Sequence, residues 1–277
     1  MRLTKSGAGG VLVRHDDQWY PVDRVDGFAG TSRACDLLIG DRPARLAGAL
    51  DRAVGSLRPV PVDLAGAPTV ADGGADIWGA GLNYRKHSQD LEAAQPTSGP
   101  GSYLRPNGCL IDNGAHIELP TRSERITAEA ELGLVLGTGA KDVRREDWRS
   151  VVAAVTTVLD MTAEDVIREN PRHIPWAKGF DTFCSIGPVL VTVDEFTDAD
   201  LAGLRVSTVR NGETIASATP ADMMYDIGFL VEYFSAGRTL RPGTVICTGT
   251  PGAAVIRTGD LVEAVVDGVG ALSHPVK

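Results

Sequence analysis

Hydrophobic positions change rhythm along the chain. Val11, Leu12 and Val13, then Trp19, Tyr20 and Val22, flank a polar turn and predict a short β-hairpin. Leu46, Leu50 and Val54 recur at helical spacing, which predicts a helix within residues 41–57. Residues 58–75 are rich in Pro, Ala and Gly and read as a linker. The expected division is a small β-containing N-terminal domain, residues 1–70, and a larger domain over 71–277. From residue 76 strand patterns dominate: 77–81, 129–136, 151–159, 186–193, 244–248 and 261–266. Asn211-Gly212 between two alternating runs predicts a hairpin with a type I′ turn. Residues 84–94 and 144–150 are helix-capable. Met223, Ile227, Leu230, Val231 and Phe234 predict an amphipathic helix over 221–236. Many strands and few short helices indicate an α+β fold on a large β core.

The chain has 277 residues, enough to bury a core without disulfides or structural metals. Lys and Arg number 27 against 36 Asp and Glu, a net charge of −9, which argues against nucleic acid or an anionic membrane as partner. No stretch approaches the roughly 20 apolar residues of a membrane span. Cys35, Cys109, Cys184 and Cys247 lie far apart with no zinc spacing, and no apolar run follows Met1. Reduced thiols in a cytoplasmic protein are the expectation.

Four clusters carry candidate chemistry. In Glu129-Ala130-Glu131 the two carboxylates share one face of a strand. Asp160 ends the apolar run 151–159. Such oxygen ligands suit Mg²⁺, Mn²⁺ or Ca²⁺ rather than zinc, although Glu-x-Glu alone also suits a solvated strand face. On a helix, His87 and Asp90 share a face, and a carboxylate on imidazole makes a general base near neutral pH. Lys178, in Lys178-Gly179-Phe180, can reach into a pocket as a cation. Thr248-Gly249-Thr250-Pro251-Gly252 follows a strand and offers hydroxyls and N–H groups to a carboxylate.

Together and in order, these pieces resemble the fumarylacetoacetate hydrolase family. The carriers are Gly81-Leu82-Asn83-Tyr84 with His87, Glu129-Ala130-Glu131-Leu132, Asp160, the run from Lys178 to Cys184 with Gly187-Pro188, Asp222-Met223, and Thr248-Gly249-Thr250-Pro251. The resemblance covers residues from about 76 to the end. It implies a mixed β-sandwich roll, usually a homodimer, with Mg²⁺ or Mn²⁺ on Glu129, Glu131 and Asp160. It implies a small oxo-acid substrate met by Tyr84, Arg105, Lys178 and Thr250.

The implied chemistry is hydrolysis of a C–C bond in an acylpyruvate-like 1,3-dicarbonyl acid. His87, oriented by Asp90, would deprotonate water, and Lys178 would stabilise the leaving enolate. Decarboxylation and isomerisation share that enolate, so both stay open, as does a catalytically silent binding protein. The chain departs from the family pattern in places. Asp90 stands where Glu is usual, with Glu92 as a substitute. Glu164 stands where Arg is usual. Arg105-Pro106 replaces Lys-Pro, and Trp176 precedes Lys178. Residues 95–101 suit a lid that closes over substrate.

Overall fold

The structure, a computed structural model, describes residues 1–71, 74–86 and 97–277. The larger sheet contains β1 (Arg2–Lys5), β2 (Val11–His15), β3 (Gln18–Pro21), β4 (Ile77–Gly81), β5 (Gly101–Arg105), β6 (Leu110–Ile111), β7 (Ile126–Leu136), β8 (Val152–Ala163) and β9 (Cys184–Thr192). A second sheet contains β10 (Val206–Arg210), β11 (Glu213–Ala218), β14 (Leu261–Val266) and β15 (Gly270–Pro275). Between these in sequence, β12 (Val245–Cys247) and β13 (Ala253–Ile256) both pair with β7 in the larger sheet. The larger sheet runs β3-β2-β1-β9-β8-β7-β12-β4-β5, and the smaller β11-β10-β14-β15.

The long strands β7 and β8 are buried nearly end to end. Strands covered on both faces carry apolar and β-branched residues continuously, as here. The small sheet packs on them: the Ala130 N–H donates to Thr208 Oγ1 of β10 at 3.0 Å, and Thr157 Oγ1 donates to the Gly270 carbonyl at 3.0 Å. This is the expected α+β architecture of two layers of mostly antiparallel strands.

The expected hairpins form, including Asn211-Gly212 with positive φ at both residues, 53° and 81°. Three expectations change in detail. The 1–70 segment adds its strands to the main sheet, β1 pairing antiparallel with β9. The 58–75 stretch packs down rather than spanning a gap: Ala67, Val70 and Ala71 are buried, and the Val70 N–H donates to the Ile186 carbonyl at 3.1 Å. The 221–236 helix is shorter, Ile227–Ser235. Pro220 opens a separate 3-10 turn, and Asp226 caps the helix by accepting from the Phe229 N–H at 2.8 Å. No helix among the described residues is long and apolar enough to cross a membrane.

Candidate metal centre and cavity

Register builds the site. Glu129 of β7 lies opposite Asp160 of β8, and Glu131 follows on the same face of β7. Strand β8 continues to Ala163, so Asp160 sits inside the strand rather than at its end. The next neighbour of β7 is broken: β12 pairs with residues 133–135 and β13 with 126–129. The loop Thr248 to Gly252 crosses that break. Gly249, at φ +94°, points its N–H at Glu131 Oε2, 2.9 Å away. The loop therefore does cradle a carboxylate, but it is the protein's own. A side chain at residue 249 would meet the Ala80 carbonyl oxygen at 2.7 Å, so the close approach requires glycine.

Glu129, Glu131 and Asp160 each place an oxygen within 4.8 Å of the others, and all three are buried. Lys178 Nζ lies 3.1 Å from Glu129 Oε2 and 2.9 Å from Asp160 Oδ1, and donates to Thr162 Oγ1 at 2.6 Å. The Tyr103 hydroxyl donates to Asp160 Oδ2 at 2.5 Å. Arg105 donates to Asp160 Oδ1 and to the carbonyl oxygens of Lys178 and Phe183. The Gly79 backbone faces the Tyr103 ring directly, where a Cβ would fall 2.0 Å from Tyr103 Cζ.

Three formal negative charges thus face two positive ones. Burial, then Asp160, push the Glu131 carboxyl up to about 8. Burial opposes ionisation of Asp160 too, but Arg105 and then Lys178 hold it below the usual carboxylate range. Burial disfavours the Lys178 ammonium, yet Asp160 and Glu129 hold its pKa above the ordinary lysine value. A divalent cation would supply the charge this cluster lacks, and three carboxylates are the hard oxygen donors that could hold one.

The cluster opens on a cavity of about 310 Å³. Glu129, Glu131, Lys178 and Thr250, which the sequence singled out, line it; so do Tyr103, Thr127 and Thr162, which sequence reasoning missed. Tyr103 had one available signal: it alternates with Arg105 on β5, so both face Asp160. The two other expected substrate contacts lie outside the cavity wall. Arg105 is buried behind Asp160 and tied to the backbone. Tyr84 is buried, and its hydroxyl has no hydrogen-bond partner among the described residues. Burial, then Glu131, push that hydroxyl's pKa far up, so it stays protonated. His87, Asp90 and Glu92 lie outside the described residues, as does part of the expected lid at 95–101.

Comparison with known proteins adds independent information. A mitochondrial oxaloacetate tautomerase of Arabidopsis thaliana is 32% identical over 208 residues, covering 74% of this chain and 92% of its own length. The crystal structure of maleylpyruvate hydrolase from Sphingobium sp. SYK-6 superposes with a TM-score of 0.82 at 28% identity, over 100% of this chain and 99% of that one. That hydrolase has also been solved with manganese(II) and pyruvate. A 5-carboxymethyl-2-hydroxymuconate delta-isomerase from Mycobacterium smegmatis gives a TM-score of 0.75 at 29% identity, over 100% of this chain and 98% of that one. The family of the fumarylacetoacetate (FAA) hydrolase C-terminal domain matches residues 76–277, which hold every strand and loop that builds the site. By that match, and by the whole-chain likeness of its fold, this chain is a member of the fumarylacetoacetate hydrolase family of enzymes.

Proposed function

We propose that the protein is a divalent-metal-dependent hydrolase cleaving a C–C bond in a small acylpyruvate-like 1,3-dicarbonyl acid. The observation that carries this reading is the carboxylate triad, with oxygens within 4.8 Å, bridged by a buried lysine at the floor of a cavity. Glu129, Glu131 and Asp160 would hold Mg²⁺ or Mn²⁺. When bound, that ion supplies Lewis-acid polarisation of the oxo group.

The chain's own groups do the rest. Tyr103 and Arg105 fix Asp160, while Gly249 fixes Glu131. His87, with Asp90 as the partner expected from the sequence, would take a proton from water as oxygen adds to the distal carbonyl. The C–C bond then breaks, giving one carboxylic acid and the enolate of a 2-oxo acid. Lys178 Nζ steadies the enolate charge, and proton return to carbon completes the ketone. The reading takes the enzyme to be a cytoplasmic homodimer, to be checked by light scattering on the purified protein.

A second reading, oxaloacetate-type tautomerisation or decarboxylation, uses the same enolate without a water step. The tautomerase and isomerase relatives favour it. A panel of acylpyruvates, oxaloacetate and unsaturated hydroxy-dioates, assayed with Mg²⁺, with Mn²⁺ and with EDTA, separates the two. Turnover that survives complete metal removal refutes both. His87→Ala is expected to abolish hydrolysis and keep Mn²⁺ binding, whereas Glu131→Ala loses both.

A further inference from the structure

The cavity has a second end. Beyond Asp160, Thr162 near the end of β8 and Glu164, the first residue of the helix Glu164–Glu169, also stand in its wall. Glu164 is 7% exposed, and its carboxylate accepts from Arg125 Nε at 2.7 Å and from Arg168 Nε at 2.7 Å. Arg168 Nη2 lies 2.5 Å from the same Glu164 oxygen as Arg168 Nε. Arg168 is four residues along the helix Glu164–Glu169, and helical side chains lean back toward the N-terminus, so its guanidinium lies over Glu164.

The charge count at this end is the reverse of that at the metal centre. One carboxylate meets two guanidiniums, leaving one positive charge in excess. Arg168 and Lys178 are the cations in the cavity wall among the described residues, and Lys178 is already engaged by Glu129 and Asp160. The wall between the ends is apolar, with Ile167, Pro171, Ile174 and Ala253. Such a surface offers a hydrocarbon chain nothing to bond with and excludes water around it.

We infer that Arg168, positioned by Glu164, is an anion anchor that selects oxo-acids carrying a second carboxylate at the far end of their chain. The inference deepens the proposed function and rests on it for the metal end.

The test is calorimetric binding to the Mn²⁺-loaded protein of 2-oxoheptanedioate and 2-oxoheptanoate. These differ only at the far terminus, and neither has the second oxo group that hydrolysis needs. The diacid is expected to bind about 10- to 100-fold more tightly, the worth of a charge-assisted contact. Arg168→Ala should erase that gap while leaving the monoacid unchanged, which also shows that the variant is folded. Arg168→Lys should keep part of the gap, and Glu164→Gln should narrow it without touching the monoacid. Equal binding of the two acids by the wild-type protein, or equal weakening of both by Arg168→Ala, overturns the inference. The two readings fail separately. An Arg168-dependent gap without turnover of any dioxo acid sinks the hydrolase and keeps the anchor. Turnover with Arg168-independent binding does the opposite.

Discussion

Replacing Lys178 by Met keeps an unbranched side chain only one atom shorter and removes its charge. In the protein without metal, Lys178 and Arg105 offset two of the three carboxylates. The substitution leaves one cation against three acids in a buried site. Removing one partner of a buried ion pair costs about 3–5 kcal/mol, because the remaining charge is uncompensated. For a chain of this size each kcal/mol is worth roughly 2–4 °C in Tm, so the expected fall in EDTA is on the order of 10 °C. Two positive charges on a bound dication more than replace the one removed, so the deficit in saturating Mn²⁺ should shrink to about 1 kcal/mol or less. The deficit in EDTA should also widen as pH rises through about 8, the value to which Glu131 is pushed, because below it a proton on Glu131 relieves the crowding. The assay is denaturant unfolding of wild type and variant, with EDTA and with Mn²⁺, across that pH range. Equal deficits with and without metal would refute the account of Lys178 as a charge within the metal cluster. The variant should also lose roughly 10²–10³ in kcat, as when a single donor to a developing oxyanion is removed.

Three further outcomes are expected. Because folding raises the Glu131 carboxyl from its ordinary value near 4.5 to about 8, the native protein keeps a proton that the unfolded chain has lost. Stability in EDTA should therefore fall as pH rises across that interval, and Mn²⁺ binding near neutral pH should release close to one proton, with affinity rising about tenfold per pH unit up to about 8. Calorimetry in buffers of different ionisation heat counts the proton, and a count near zero contradicts the raised carboxyl. Tyr103→Phe removes the hydroxyl donated to Asp160 and should weaken Mn²⁺ binding about 10- to 100-fold with the fold intact, as read by Mn²⁺ titration and circular dichroism. Gly79→Ala puts a methyl group into the Tyr103 ring, which must move; the expected cost is about 1–3 kcal/mol of stability by chemical denaturation, together with the Tyr103→Phe loss in affinity.

The parts of the site that were legible in the sequence are those set by short-range alternation. Glu129 and Glu131 share a strand face because they are two residues apart, and the β-branched run before Asp160 marks it as a buried strand. What was illegible depends on pairing between distant segments. Nothing local shows that β12 and β13 both pair with β7 and leave a gap facing Glu131, because that gap joins residues more than a hundred positions apart. Arg105 shows the same limit. Its charge suggests a hand held out to substrate, but β5 turns it inward onto Asp160 and two carbonyls. The shortened 227–235 helix reflects a local contest that hydrophobic period alone cannot judge, since Asp226 caps the helix after Pro220 has already opened a separate turn.

Glu164 shows most plainly why charge read along the sequence misleads here. In sequence it is one more acid in a chain of net charge −9, standing close to Asp160. Strand register brings Arg125 to it from the end of β7, and helix geometry brings Arg168 from one turn ahead. An acid flanked by two guanidiniums lowers their mutual repulsion and fixes their direction, so its negative charge serves to hold positive charge at the cavity wall. Asp160 and Thr162 on β8, and Glu164 at the start of the helix that follows, then hold a cation-hungry cluster, a hydroxyl that accepts from Lys178, and a cationic cluster in sequence. An acidic protein could receive an anion in such a site, because Arg168 reverses at one end the sign that the composition alone would predict, and a dication held by the carboxylates would reverse it at the other.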